Sequence, residues 1–173
     1  DVKKLMAMKI CDSDAELARR MFIFSCFTGL AITDMEHLTF GHIKSAADGQ
    51  MYIRKERQKT KVEFIVPLHP IAKTIIEQQR QLQAVKEEGN NTDMDNRFIF
   101  QPYCSRSVLA AKLSIVGKAC GIKQRLSYHM GRHTFGTMCL SAGIPIESIA
   151  KMMGHASIAS TQIYAQVTDC KIS

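Results

Sequence analysis

Five side chains able to carry a reaction recur in a regular order along this 173-residue chain: Lys59, His129, Arg132, His155 and Tyr164. His129 and Arg132 stand three apart in Tyr128-His129-Met130-Gly131-Arg132-His133-Thr134-Phe135, so a helix would present both on one face. Gly154-His155 marks the end of a later helix, and Tyr164 follows at nine positions from His155. Lys59 comes earlier, in a turn ahead of Phe64-Ile65-Val66-Pro67-Leu68. A guanidinium is a planar fork matched to two phosphate oxygens. An imidazole moves protons near neutral pH or donates one hydrogen bond. A phenol, with its pKa of ~10, becomes a nucleophile once a base or a positive surround favours the phenolate. Such a set offers a nucleophile, a carrier of its proton, and donors for an anion where negative charge builds. No Asp/Glu cluster suited to Mg²⁺ accompanies them, and a covalent route conserves the bond energy, so neither metal nor other cofactor is expected. Taken one at a time, each has a plainer reading: a packing tyrosine, a helix-end histidine, a solvated His/Arg pair. Their order and spacing together are another matter.

The composition agrees with a polyanionic partner. Lys and Arg number 23 against 16 Asp and Glu, a net charge of +7 with histidines neutral, which leans towards nucleic acid. At 46% hydrophobic the chain can bury a core, which excludes disorder over most of its length. Its longest apolar run, Met21 to Phe27, is far short of the ~20 residues of a membrane-crossing helix, so no membrane partner is expected. Six widely spaced cysteines without a CxxC pair read as reduced thiols of a cytoplasmic protein.

The elements that must position these residues are mostly helices. Ser13-Asp14-Ala15-Glu16 has the form of a capping box and opens a helix to about Phe27, closed by Gly29. Thr33-Asp34-Met35-Glu36 repeats the device for a short second helix. Between 40 and 68 the period changes: Asp48-Gly49 is a hairpin turn signal, and Val62, Phe64 and Val66 alternate with Lys61, Glu63 and Ile65. Three antiparallel strands are predicted at 41–46, 51–57 and 62–67, with Lys59-Thr60 in the second turn. Pro70 opens a helix over 70–88, Gly89 to Asn96 is a surface loop, and helices are predicted over 105–120, 127–142, 145–153 and 157–167. The predicted class is α+β, mainly α, with one small three-stranded sheet.

The ordered motifs resemble those of the tyrosine recombinases, the phage-type integrases. Their signature of H-x-x-R, then G-H, then a tyrosine nine residues on is matched by His129-Met130-Gly131-Arg132, Gly154-His155 and Tyr164. Thr28-Gly29-Leu30 followed by Asp34 resembles the family's T-G-L-R-x-x-E/D block, and Lys59 fits its strand-turn lysine. The resemblance implies a catalytic domain over residues 1–173 of a longer protein whose N-terminal DNA-clamping domain is absent here. It also implies cleavage and rejoining of double-stranded DNA through a 3′-phosphotyrosine, within a tetrameric synapse of protomers. By the same resemblance Tyr164 is the nucleophile, Arg132 and His155 hold the phosphate, and His129 manages the tyrosine proton. Lys59, on a mobile hairpin, protonates the leaving 5′-oxygen. Arg54, Lys55, Arg57 and Lys61 are expected to touch backbone phosphates, and His133 to pack or cap.

Ala31 departs from the pattern, standing where the family carries its first catalytic arginine. Integrases of some Bacteroides-type mobile elements share that loss, and the chain resembles them, so integration or excision of such an element is the expected task. A catalytically weak DNA-binding module and a Xer-like resolvase are the alternatives. Arg19 and Arg20, on the helix leading into Thr28-Gly29-Leu30, are the in-chain candidates to replace the missing arginine.

Overall fold

In a computed structural model, described here for residues 2–85 and 93–155, a short α1 (Val2–Ala7) precedes α2 (Ser13–Thr28), the helix around which the molecule is built. Leu17, Ala18, Met21, Phe22, Ile23, Phe24 and Cys26 are all buried. A helix apolar on nearly every side must be covered on every side. Three later helices do this: α4 (Pro70–Val85), α5 (Arg106–Ala119) and α6 (Tyr128–Ser141) all pack on it. The short α3 (Ile32–Glu36) follows α2 directly, and α7 (Ile146–Met152) follows α6. The sheet has the order β1 (Ile43–Ser45), β2 (Met51–Glu56), β3 (Glu63–Pro67), antiparallel throughout, with Ile53 opposite both Ile43 and Val66. Ile53, Phe64 and Val66 face the core, while Arg54, Glu63 and Ile65 face outward. The predicted class, mainly α with one three-stranded antiparallel sheet, is the observed one.

Several local details differ from expectation. Neither predicted capping box forms. Asp12 and Ala31 are the N-caps of α2 and α3, without side-chain caps. Glu16 instead accepts from Arg19 Nε at 2.7 Å and pairs with Arg20 Nε at 3.1 Å, because a charge-assisted bond outcompetes a lone backbone N–H. The first strand is shorter than predicted. Thr39 and His42 form a capping box around a 3-10 turn at Phe40–His42, where Nδ1 of His42 accepts from the Thr39 amide at 3.0 Å. The turn takes 41 and 42 out of the strand. Unpredicted α1, too short to show a period, anchors itself through Leu5 and through Arg19, whose guanidinium donates to the carbonyls of Leu5 (3.0 Å) and Met6 (3.2 Å). The helix predicted over 157–167, the end of that over 70–88 and the first half of the 89–96 loop lie outside the described residues.

Gly131 shows how tightly α2 and α6 are joined. A Cβ at this position would stand 3.0 Å from both Cβ and Oγ of Ser25 and 3.3 Å from the Phe22 carbonyl. The obstacle includes backbone and a buried serine already bonded to the Leu30 carbonyl at 2.7 Å, so it cannot swing aside. Gly131→Ala is therefore expected to force the helices apart at a cost of about 1–3 kcal/mol, read as a lowered melting temperature.

Candidate active site

Arg132 lies on α6 and is only 5% exposed. The end of α2 explains where its charge goes. Gly29 adopts a left-handed conformation (φ 75°) that closes the helix, its N–H donating to Ser25 at 2.8 Å, and its carbonyl is left to accept from Nη1 of Arg132. Nη2 donates to the Met153 carbonyl at 2.7 Å, at the end of α7. The guanidinium thus spans two helix ends, and its plane is set by both.

The same turn after α7 delivers His155. Gly154 is left-handed (φ 64°), and the His155 amide returns to the Ala150 carbonyl at 3.0 Å. Burial, then the charge of Arg132, then that of Arg57 hold the His155 imidazole down at about 4. It is therefore neutral at physiological pH, able to donate one hydrogen bond to a phosphate oxygen without carrying a charge. Because an unfolded histidine takes up its proton near 6.5, folding stability should be lost as pH falls from about 6.5 towards about 4. His155→Gln should remove that part of the slope in urea midpoints measured across this window.

Arg57 reaches the site from the sheet. It follows β2 in the neck of the β2–β3 hairpin, its amide donating to Val62 at 2.9 Å and its carbonyl accepting from Lys61 at 2.9 Å. Its side chain passes over Gly154, where an added Cβ would meet Arg57 Cδ at 3.3 Å. Asp34 of α3, 2% exposed, holds the neck: Oδ1 accepts from the Gln58 amide at 2.8 Å, and Oδ2 faces Arg57 Nε at 3.6 Å. Thr60 Oγ1 donates to the Gly154 carbonyl at 3.3 Å. Lys59 is exposed between these two anchors, so the turn expected to be mobile is tied down on either side of its lysine.

The structure thus gathers Arg132, His155 and Arg57, with Lys59 at the adjoining turn. His129 stays exposed on the first turn of α6, its ring edge-on to His133 with centroids 5.0 Å apart. Burial, then the charges of His129 and Arg132, lower the His133 pKa. Tyr164 lies outside the described residues. Arg19 and Arg20 are not brought to the site, which corrects their proposed role as substitutes for the missing arginine. Arg19 is spent on Glu16 and α1, and Arg20 donates to Gln79 Oε1 at 3.0 Å. Eight residues of continuous helix, about 12 Å, separate Arg20 from Thr28. Among the expected phosphate contacts, Arg54 and Lys61 are exposed, Arg54 pairing with Glu63 at 3.3 Å. Lys55 is 7% exposed, because strand alternation puts it on the covered side with Ile53, and burial lowers its pKa. It is a buried cation beside Asp34, not a surface contact. Arg57 was legible only as one more strand cation, and Asp34 only as the last residue of a motif.

A stretch rich in cations leads into α6. Between Asp95 and Glu147 the sequence holds no acidic residue, while Arg97, Arg106, Lys112, Lys118, Lys123, Arg125 and Arg132 all fall there. Lys118, Lys123 and Arg125 are exposed around a hollow shared with Ser114, Ile122 and Gln124, just ahead of α6. Such a face suits a polyanion.

Comparison with known proteins agrees. The family model described as "Phage integrase family" matches residues 1–171. Tyrosine recombinase XerD of Listeria innocua is 29% identical over 186 residues, covering 99% of this chain and 58% of the relative. XerC of Oceanobacillus iheyensis is 30% identical over 148 residues, covering 82% and 46%. The chain thus spans about half the length of these relatives. Among solved structures, the XerH site-specific recombinase in a post-cleavage complex with palindromic difH substrate superposes with a TM-score of 0.73 at 15% identity, covering 99% of this chain and 48% of that one. The Tn1549 transposon integrase with circular intermediate DNA gives 0.65 at 16%, covering 98% and 62%. These structural likenesses speak for the fold.

Proposed function

Since the chain belongs to the phage integrase family, we propose that it cleaves and rejoins double-stranded DNA at specific sites through a 3′-phosphotyrosyl intermediate, in the integration or excision of a mobile element. The observation that carries this reading is the meeting of Arg132, neutral His155 and Arg57 at the ends of α2 and α7. Three donor groups of this kind suit the equatorial oxygens of a phosphoryl group in transfer. Tyr164 Oη attacks phosphorus, its proton leaving by way of His129. The bond from phosphorus to the 5′-oxygen breaks, and Lys59 protonates that oxygen. Rejoining runs the same steps backwards, a 5′-hydroxyl displacing the tyrosine. In this reading residues 1–173 are the catalytic part of a longer, cytoplasmic protein with a separate DNA-clamping domain, and protomers meet in a tetramer on DNA. The acid-free stretch supports DNA as partner, with affinity falling as salt rises.

The test uses the full-length protein and nicked suicide duplexes drawn from the DNA flanking its gene. A detergent-stable adduct mapped to Tyr164 is expected. Tight binding without any adduct would reduce the protein to a DNA-binding module. A Xer-type resolvase is the second reading, favoured by the names of the sequence relatives. Ends of a mobile element flanking the gene would decide against it.

Lys59→Ala should slow cleavage of ordinary DNA by roughly 10²-fold or more, and far less when sulfur replaces the leaving 5′-oxygen, because a thiolate departs without a proton. Equal defects on both substrates would leave Lys59 as a DNA contact.

A further inference from the structure

We infer that Arg57 is a second phosphate-binding arginine of this site and takes over the task for which position 31 has no side chain. The inference rests on the phosphoryl-transfer reading above. Ala31 is the N-cap residue of α3, and its methyl group can neither donate a hydrogen bond nor carry charge. A transferring phosphoryl group spreads negative charge over several oxygens, so one guanidinium and one neutral imidazole leave it short of positive charge.

Arg57 is the cation placed to supply it. Its side chain runs beside Gly154, Arg132 holds the Met153 carbonyl, and His155 follows, so the three groups converge on one turn, where both charges also reach the imidazole. Its side chain is only 15% exposed, yet among the described residues its guanidinium makes no hydrogen bond. Burying a cation costs free energy that hydrogen bonds would ordinarily offset. Among the described residues the offsetting partner is Asp34, at ion-pair distance from Nε. A side-on carboxylate leaves the end-on edge of the guanidinium, Nη1 and Nη2, with its donors unspent. That edge is the fork that fits two phosphate oxygens.

The surroundings fix the side chain rather than merely tolerate it. The absence of a Cβ at Gly154 lets Arg57 Cδ pass beside the turn that carries His155. Asp34 holds the Gln58 amide with one oxygen and faces Arg57 with the other, so α3 positions side chain and backbone of the hairpin neck together. Asp34 is thus a positioning residue acting through Arg57. An arginine two positions before Lys59 also ties phosphate binding to the placement of the lysine proposed to protonate the leaving oxygen.

Adduct formation on the nicked duplex should be measured for the full-length wild type, Arg57→Ala, Arg57→Gln, and Arg57→Ala combined with Ala31→Arg. Histidine titrations by NMR on the same proteins, free of DNA, give a readout independent of reaction. Expected are a loss of roughly 10²–10³-fold in cleavage for both single variants and partial recovery when arginine is supplied at position 31. The His155 midpoint should rise above about 4 in Arg57→Gln, because a neighbouring positive charge has gone. Wild-type cleavage with undiminished cleavage by Arg57→Ala and Arg57→Gln would overturn the assignment alone. So would an unmoved His155 midpoint in folded Arg57→Gln. Absence of an adduct from wild type would overturn the functional reading and this assignment with it.

Discussion

Tyr164→Phe is expected to bind the same DNA and leave no covalent mark on it. The substitution removes one oxygen and keeps the ring, so whatever packing the side chain makes is retained. The hydroxyl's contribution to binding is that of one neutral hydrogen bond, about 1 kcal/mol, so affinity should change by about fivefold or less. Cleavage should fall to background, because a phosphodiester cannot be transferred to a phenyl ring. Among the described residues, the two buried cysteines do not replace the oxygen as a nucleophile. Cys26 and Cys139 are buried, with thiol pKa values pushed up to about 12 and about 11, which keeps them protonated at neutral pH. Gel-shift titration and adduct assays on one substrate give both readouts. An adduct formed by Tyr164→Phe would remove Tyr164 from the mechanism, and equal loss of binding and cleavage would show that the oxygen serves recognition instead.

Legibility of this molecule from sequence depended on whether a feature is local. The apolar run of α2, the Asp48-Gly49 turn with Gly49 at φ 84° and the helix stop at Gly29 depend on neighbours along the chain, and the order of residues expresses them. Capping was a weaker guide. Ser13 and Thr33 carry the right spacing for a box, but Glu16 and Glu36 each had an arginine within reach. Glu36 accepts from Arg106 at 2.6 Å through both oxygens, a contact across 70 positions that no window along the sequence contains. Arg57 illustrates the same limit at the site. Its nearness to His155 depends on the hairpin folding back onto α7, and on a glycine there leaving room. Counting along α2 instead pointed to Arg19 and Arg20, which lie next to the vacancy in sequence but face α1 and α4 in space.

Arg132→Ala should be the most damaging substitution that leaves the nucleophile in place, and for two separable reasons. The guanidinium donates to the carbonyls of Gly29 and Met153, both deep at helix ends. Removing it strands two buried acceptors, each at about 1–3 kcal/mol, so the melting temperature should drop clearly. It also removes the charge-assisted bonds proposed to meet the phosphate, for a loss of roughly 10²–10³-fold in cleavage. Arg132→Lys separates these effects. A lysine keeps the charge and can serve one carbonyl, so stability should recover in part. A single ammonium cannot hold both helix ends and present a planar fork, so cleavage should remain low. The His155 titration distinguishes the two variants. After burial, the Arg132 charge is the next largest cause of its low value of about 4, so the midpoint should rise in the alanine variant and much less in the lysine variant. Near-normal cleavage by folded Arg132→Lys would mean that the side chain is needed for its charge and its place in the fold, and that a fork on the phosphate is not required.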